Sequence, residues 1–135
     1  MAIMQWNKTF ETNIKKIDEQ HQGLVNILNA LHDSMLKGDS NSEMGKLLEK
    51  LVNYTVIHFK TEEELFDKHG FPETTKHKAE HNDLTGKASK LLKGHKAGAT
   101  VVSADLMYFL KDWLKNHILG SDKKYGPFLN AKGVY

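Results

Sequence analysis

The chain of 135 residues contains no cysteine, which excludes disulfide bridges, zinc–thiolate sites, iron–sulfur clusters and thiol catalysis. Proline is also scarce, with two residues in the whole sequence, and this favours helices over loops. Lysine and arginine (19) exceed aspartate and glutamate (17) by only two. Because nucleic-acid-binding proteins carry a much larger basic surplus, we expect no nucleic-acid partner.

Long hydrophobic runs are missing as well. No apolar stretch approaches the roughly 20 residues that span a bilayer, so we expect no membrane partner. The opening sequence MAIMQWNKTF lacks the basic segment and apolar run of a secretory signal, and we expect a cytoplasmic location. The length fits one domain over residues 1–135. What the sequence has in excess is histidine, with eight residues.

Apolar residues recur at alternating spacings of three and four, which predicts four long amphipathic helices. The predicted helices cover residues of about 17–37, 42–69, 73–93 and 103–119, and a glycine follows each of them at Gly38, Gly70, Gly94 and Gly120. Short connections force neighbouring helices to be antiparallel, so we expect an all-α, up-down-up-down four-helix bundle. The residues before and after it would form N- and C-terminal arms.

Each predicted helix places histidine on its inward face, where a core residue should lie. The inward polar residues are His21, His58, Glu62, His77, His81 and His117, and Asp122 follows just after the fourth helix. In an antiparallel bundle all of these positions lie near the same end. Burying them without partners would cost several kcal/mol each, and a metal is the natural group to satisfy them. The other histidines, His32, His69 and His95, are interpreted as surface or structural residues.

Two pairs of the inward residues are separated by four positions, His58 with Glu62 and His77 with His81. Residues at this spacing lie about 6 Å apart along the helix axis and about 40° around it. Each pair can therefore reach one metal ion or two adjacent ions. Imidazole suits iron, zinc and copper, and bridging carboxylates suit a pair of hard cations.

His117 and Asp122 are separated by five positions, which is about 140° around a continuous α-helix. Asp122 can therefore join His117 only if the helix ends or tightens between them. Gly120 and Ser121 are expected to supply that break.

Four segments make the chain resemble the hemerythrins, namely IDEQH (17–21), HFKTEEELF (58–66), HKAEH (77–81) and HILGSDKKY (117–125). They cover most of the predicted bundle, and the leading Trp6 fits as well. The likeness is to the single-domain bacterial members of the family. It implies reversible binding of dioxygen at a non-haem di-iron centre, for oxygen storage, transport or delivery.

Carried over residue by residue, the resemblance implies that one iron is held by His77, His81 and His117 and the other by His21 and His58. Glu62, Asp122 and a solvent-derived oxo or hydroxo group would bridge the two ions. The second iron would then have five ligands and one vacant position. Dioxygen would bind end-on at that position, as a hydroperoxide.

The resemblance also implies an apolar pocket around the oxygen-binding position. Its predicted lining is Leu24, Phe59, Trp113, Leu114 and Ile118, residues that could equally be ordinary core packing. The imidazoles need outer hydrogen-bond partners to orient them. Candidates that lie nearby in the sequence are Gln20, Glu63, Glu80 and Tyr125, and the sequence leaves their pairing open.

Other functions are compatible with the same residues. A di-iron peroxidase or oxidase would need a polar open pocket with a proton donor, which the apolar candidates disfavour. Iron storage, detoxification or oxygen sensing is a further alternative, and a metal-free bundle would leave the histidines unexplained. Five histidines and two carboxylates form a less anionic set than carboxylate-rich oxygenases have, which favours reversible binding over catalysis. We expect dioxygen as the partner and an oxygen-consuming enzyme as its acceptor.

Overall fold

Helices make up most of the structure, a computed structural model that describes residues 3–98 and 102–135. The elements are a 3₁₀ turn (Lys8–Phe10), α1 (Lys15–Lys37), α2 (Asn41–His69), α3 (Thr74–Lys96), α4 (Ala104–Asn116), a π-helical segment (His117–Asp122) and α5 (Lys123–Ala131). Helix α1 packs against α2 and α4, and α2 packs against α3. The predicted all-α four-helix bundle is therefore confirmed. Within the described ranges, no helix is both long enough and apolar enough to span a membrane.

The helix ends follow capping signals in the sequence. Gly38 and Gly70 end α1 and α2 with φ of 74° and 67°, a left-handed conformation that glycine adopts without strain. The side chain of Ser40 accepts a hydrogen bond from the backbone N–H of Glu43 at the start of α2. Ser103 caps α4 in the same way. The predicted boundaries of α1, α2 and α4 at these residues are thus confirmed.

The end of α3 differs from the prediction. The helix continues through Gly94 to Lys96, and His95 is a buried helical residue instead of a loop residue. The Nε2 atom of His95 donates to the backbone carbonyl of Asn41 at a distance of 2.8 Å. Gly45 makes room for this ring, since a Cβ atom at that position would lie 3.0 Å from it. This contact between α2 and α3 stabilises the additional helical turn.

The C-terminal arm is helical as well. The prediction that the fourth helix closes at Gly120 was wrong, because helical structure continues through the π-helical segment into α5. The side chain of Ser121, expected to help break the helix, lies outside the described part of the structure. Trp6 and Phe10 of the N-terminal arm pack on the bundle, and so do Tyr125 and Phe128 in α5.

Two apolar clusters occupy the core. The larger, which we call the distal cluster, includes Leu24, Leu28, Leu48, Met107, Leu114 and Ile118. The smaller, which we call the terminal cluster, consists mainly of Ile14, Ile17, Phe66, Phe71, Tyr125 and Leu129. Helices α1 and α2, and the continuous run of α4, the π-helical segment and α5, pass through both clusters. The residues between the clusters on these helices therefore form a separate layer.

The N-terminal arm crosses closely over α5. The backbone N–H and the hydroxyl of Thr12 both donate to the Asp18 carboxylate, each at a distance of 2.8 Å, which fixes the arm at the start of α1. On the other side of Thr12, its carbonyl oxygen would lie 2.7 Å from a Cβ atom on Gly126. Because the obstructing atom belongs to the backbone, it cannot move aside easily.

The substitution Gly126→Ala is therefore expected to lower the free energy of unfolding by about 1–3 kcal/mol, the usual effect of overpacking. Gly86→Ala in α3 is the matched control, since a Cβ atom there meets nothing within 4 Å. It should raise stability by about 0.5–1 kcal/mol, because alanine is the better helix former. Urea unfolding of both variants measures the difference. Equal stabilisation by the two substitutions would show that the arm does not press on α5.

Candidate metal centre

The layer between the two apolar clusters is polar and buried. It consists of the seven residues singled out in the sequence, and each is at most 7% exposed: His21, His58, Glu62, His77, His81, His117 and Asp122. Along α1, His21 lies between Ile17 of the terminal cluster and Leu24 of the distal cluster. Helix α2 runs in the opposite direction, and on it Glu62 lies one turn before Phe66 of the terminal cluster. The structure thus brings all seven residues together at one level of the bundle.

Their side-chain atoms form two groups, and within each group the potential ligand atoms lie within 4.8 Å of one another. One group contains five residues, Glu62, His77, His81, His117 and Asp122. The other contains four residues, His21, His58, Glu62 and Asp122. Both carboxylates belong to both groups. Such an arrangement can hold two adjacent metal ions bridged by the two carboxylates.

The π-helical segment explains how Asp122 joins His117. Hydrogen bonds of the i→i+5 type widen the helix, so that residues five positions apart come close to the same face. As a result, Asp122 Oδ1 lies 3.1 Å from His117 Nε2. The expectation that the helix must end or tighten before Asp122 was therefore wrong, since it widens instead.

Many polar atoms of the layer lack hydrogen bonds. Among the described residues, the buried atoms without a partner include His21 Nδ1 and Nε2, His58 Nε2, Glu62 Oε1, His81 Nε2, His117 Nε2 and Asp122 Oδ2. Some of them are close to a polar atom of another residue in the layer, as His21 Nε2 is to Asp122 Oδ2 at 2.8 Å, but they are not aligned for hydrogen bonding. Within the described part of the chain, His77 Nε2 is the one imidazole nitrogen that is hydrogen-bonded to Asp122, at 3.1 Å. The lone pairs of nitrogen and oxygen that converge in this way fit bound cations, which would satisfy them at once.

Both carboxylates are ionised in this layer. Burial and the charge of Asp122 act to raise the pKa of Glu62, but contacts with His58 and His81 bring it down to about 2. Burial likewise opposes ionisation of Asp122, yet His117 beside it holds that pKa well below its usual range. Burial lowers the pKa of His117, but the charge of Asp122 outweighs it and raises the pKa to about 9. A buried pair of negative charges that attracts protons to imidazole also favours metal cations, which displace those protons.

The structure resolves the outer hydrogen bonds that the sequence left open. His58 Nδ1 lies 2.7 Å from Gln20 Oε1, and His81 Nδ1 lies 3.3 Å from Glu63 Oε2. The hydroxyl of Tyr125 donates to Glu62. Burial, together with the charges of Glu62 and Asp122, raises the pKa of Tyr125 well above its usual value, so that it stays a donor. These contacts fix the orientation of the potential ligands.

Sequence reasoning missed Thr61. Its hydroxyl accepts a hydrogen bond of 3.2 Å from Gln20 Nε2 and donates to the backbone carbonyl of Ile57 at 3.1 Å. A threonine in the middle of a helix carries no sequence signal for such a role. Only the relative positions of α1 and α2 reveal it.

The residues predicted to line an oxygen pocket lie on the distal side of the layer. Phe59 stacks on His81 with ring centroids 3.8 Å apart, and Trp113 stacks on His117 at 6.2 Å. Leu24, Leu114 and Ile118 are buried in the distal cluster. The polar layer is therefore bordered by aromatic and aliphatic side chains on this side.

Residues 12–129 match a family model described as the hemerythrin HHE cation binding domain. The chain belongs to the hemerythrin family. The match covers the whole four-helix bundle and includes all seven residues of the polar layer. The family resemblance inferred from the four segments is thereby confirmed.

Relatives within the hemerythrin family cover nearly the full chain. A bacteriohemerythrin of Methylococcus capsulatus is 43% identical over 97% of this chain and 100% of its own length. A hemerythrin-like protein of Naegleria gruberi is 37% identical over 89% of this chain and 88% of its own. A wild-type hemerythrin crystal structure superposes with a TM-score of 0.89 at 42% identity, over 93% of this chain and 97% of that one. Variants of hemerythrin with a single leucine replaced match with TM-scores of 0.90.

The substitution His77→Ala tests whether the polar layer binds metal. Because it removes one imidazole from the five-residue group, we expect the iron content to fall below two ions per chain. Stability should fall with it, since metal binding and folding are coupled, and each kcal/mol lost shifts the melting temperature by roughly 4 °C. Elemental analysis and thermal melting measure the two effects.

The control is His69→Ala, because His69 ends α2 outside both ligand groups. This variant should keep the iron content of the unaltered protein. Two firmly held ions in the His77→Ala protein, with unchanged melting, would contradict the assignment of this residue to the site.

Proposed function

We propose that this protein binds dioxygen reversibly at a non-haem di-iron centre, for oxygen storage, transport or delivery. The observation that carries the proposal is the pair of ligand groups with five and four residues, which share both carboxylates. This asymmetry supports a site in which one metal ion has a full set of protein ligands and the other retains room for an external one.

In the proposed site, one iron is held by His77, His81 and His117, and the other by His21 and His58. Glu62 and Asp122 bridge them, as their membership of both groups favours. Two ferrous ions bound there would supply the two electrons that reversible dioxygen binding requires. Imidazole and carboxylate donors suit iron, and the unpaired buried atoms of the layer fit such ions.

The protein's own side chains restrict access of water to the site. Phe59 and Trp113 cover the imidazoles of His81 and His117, and Leu24, Leu114 and Ile118 are nearly inaccessible to solvent. An apolar environment slows the protonation by which reduced oxygen species would escape. This environment favours a binding protein over an oxidase or peroxidase.

The hydroxyl proton of Tyr125, which borders the site, is also held in place. The Tyr125 hydroxyl donates to Glu62, and burial with the nearby carboxylates keeps its pKa well above the usual value. It therefore stabilises the charge on Glu62 and does not serve as a ready proton donor. Release of dioxygen without chemical conversion is consistent with this arrangement.

The proposal is tested by reducing the iron-loaded protein without oxygen, adding oxygen, and removing it under inert gas while recording the optical spectrum. A carrier is expected to return to the reduced spectrum over many cycles, without formation of peroxide. Irreversible oxidation in the first cycle, or steady consumption of a reductant with oxygen, would indicate an oxidase or peroxidase instead.

A second test concerns the pocket. Leu114 lies one turn before His117 and is buried, so that Leu114→Ala should open space beside the site. We expect the rate of autoxidation or the affinity for oxygen to change severalfold while the iron content stays the same. Leu110→Ala is the matched control, one turn further from the site in the same cluster. Identical oxygen kinetics in both variants would exclude Leu114 from the pocket.

A further inference from the structure

The two histidines of the four-residue group are oriented in different ways. His58 has an outer hydrogen-bond partner, Gln20 Oε1, which lies 2.7 Å from its Nδ1 atom. His21 Nδ1 has none among the described residues, and the ring is positioned by packing against Trp6 and His58. Among the described residues, the contact between Gln20 and His58 is therefore the single hydrogen bond to an Nδ1 atom of this group.

Gln20 can restrain His58 only if its amide faces the right way. An amide side chain carries an acceptor at one end and a donor at the other, and a 180° flip exchanges them. When the Gln20 oxygen faces His58, the imidazole must carry its proton on Nδ1, and Nε2 then keeps a lone pair. Facing it with its nitrogen, Gln20 would require the opposite tautomer, in which Nε2 carries the proton and cannot bind a metal.

The direction of the amide is set by Thr61. The hydroxyl proton of Thr61 is committed to the carbonyl of Ile57, at 3.1 Å, because a carbonyl can only accept. The hydroxyl oxygen is then left as an acceptor, and Gln20 Nε2 donates to it over 3.2 Å. The oxygen of Gln20 must consequently face His58.

We infer that Thr61 and Gln20 form a relay that fixes the metal-binding tautomer of His58, starting from the backbone carbonyl of Ile57. The relay, which we call the Thr61–Gln20 relay, makes both residues positioning residues of the site. This tautomer leaves a lone pair on Nε2, which lies 3.2 Å from Glu62 Oε1 and has no hydrogen-bond partner among the described residues. An unprotonated nitrogen in that position could bind a metal ion. This inference rests on the proposed di-iron site.

The relay differs from the arrangement at His81. There the outer partner is the carboxylate of Glu63, at 3.3 Å, which is an acceptor in every orientation. No third residue is needed to set its direction. Replacing Gln20 by glutamate would give His58 a partner of the same kind, and this provides the key test.

The experiment measures how fast a chelator removes iron from the reduced, iron-loaded protein under anaerobic conditions. In the Thr61→Val variant the Gln20 amide can flip, and we expect iron release to be about tenfold faster. Tenfold is the lower end of the loss in metal affinity that follows removal of an outer hydrogen-bond partner. Thr61→Ser restores the hydroxyl and should restore the slow rate. Thr55→Val is the matched control, since its hydroxyl makes the same type of bond, to Leu51 at 2.7 Å, with no glutamine beside it.

A double-mutant cycle separates the relay from a merely structural role. In the Gln20→Glu background both oxygens of the side chain accept hydrogen bonds, so that a flip no longer changes what His58 meets. Adding Thr61→Val to this background should therefore change the rate of iron release less than twofold. The paramagnetically shifted N–H proton of His58 should exchange with solvent faster in Thr61→Val and at the original rate in the double variant.

Two results would overturn the relay. One is release from Thr61→Val at the same rate as from Thr55→Val, and the other is a Thr61→Val effect of equal size in both backgrounds. Failure of the unaltered protein to hold two iron ions is a different outcome, because it would refute the proposed function itself.

Discussion

The arrangement of the whole bundle depends on seven polar side chains that converge between two apolar clusters. An ordinary core would place aliphatic side chains at this level, and unpaired imidazole and carboxylate groups are costly to bury. Here the carboxylates remain ionised, and most of the imidazole nitrogens that face them are not hydrogen-bonded. Cations bound in this layer would balance its charge and accept its lone pairs, and the clusters on either side keep it away from water.

The positions of these residues on the helices could be read from the sequence, because they depend on local rules. Helical periodicity places His21 and Glu62 on inward faces, and antiparallel packing brings opposite ends of neighbouring helices to one level. Glycine at Gly38 and Gly70 marks real helix ends, since the left-handed conformation found there favours glycine. Gly94 has the same sequence signal but lies inside α3, because the contact between His95 and Asn41 extends the helix. Whether a glycine ends a helix thus depends on tertiary packing.

The π-helical segment could not be predicted in the same way. Sequence reasoning recognised that five positions separate His117 from Asp122 and that an α-helix would direct them apart. It predicted that the helix would end or tighten, and it missed the widening because the choice depends on interactions of both residues with the rest of the polar layer. Asp122 approaches His21 and His77 as well as His117, and these contacts from three helices accompany the wider turn. The outer contacts of Gln20 and Tyr125 are beyond sequence reasoning for a similar reason, because they depend on the relative rotation of neighbouring helices.

The central claim is that this polar layer binds two iron ions with different sets of protein ligands. Anomalous diffraction at the iron absorption edge, recorded from crystals of the iron-loaded protein, tests it most directly. The account predicts two separate peaks, one beside His77, His81 and His117 and the other beside His21 and His58, with Glu62 and Asp122 contacting both. A single peak, or no peak in this layer, would contradict it.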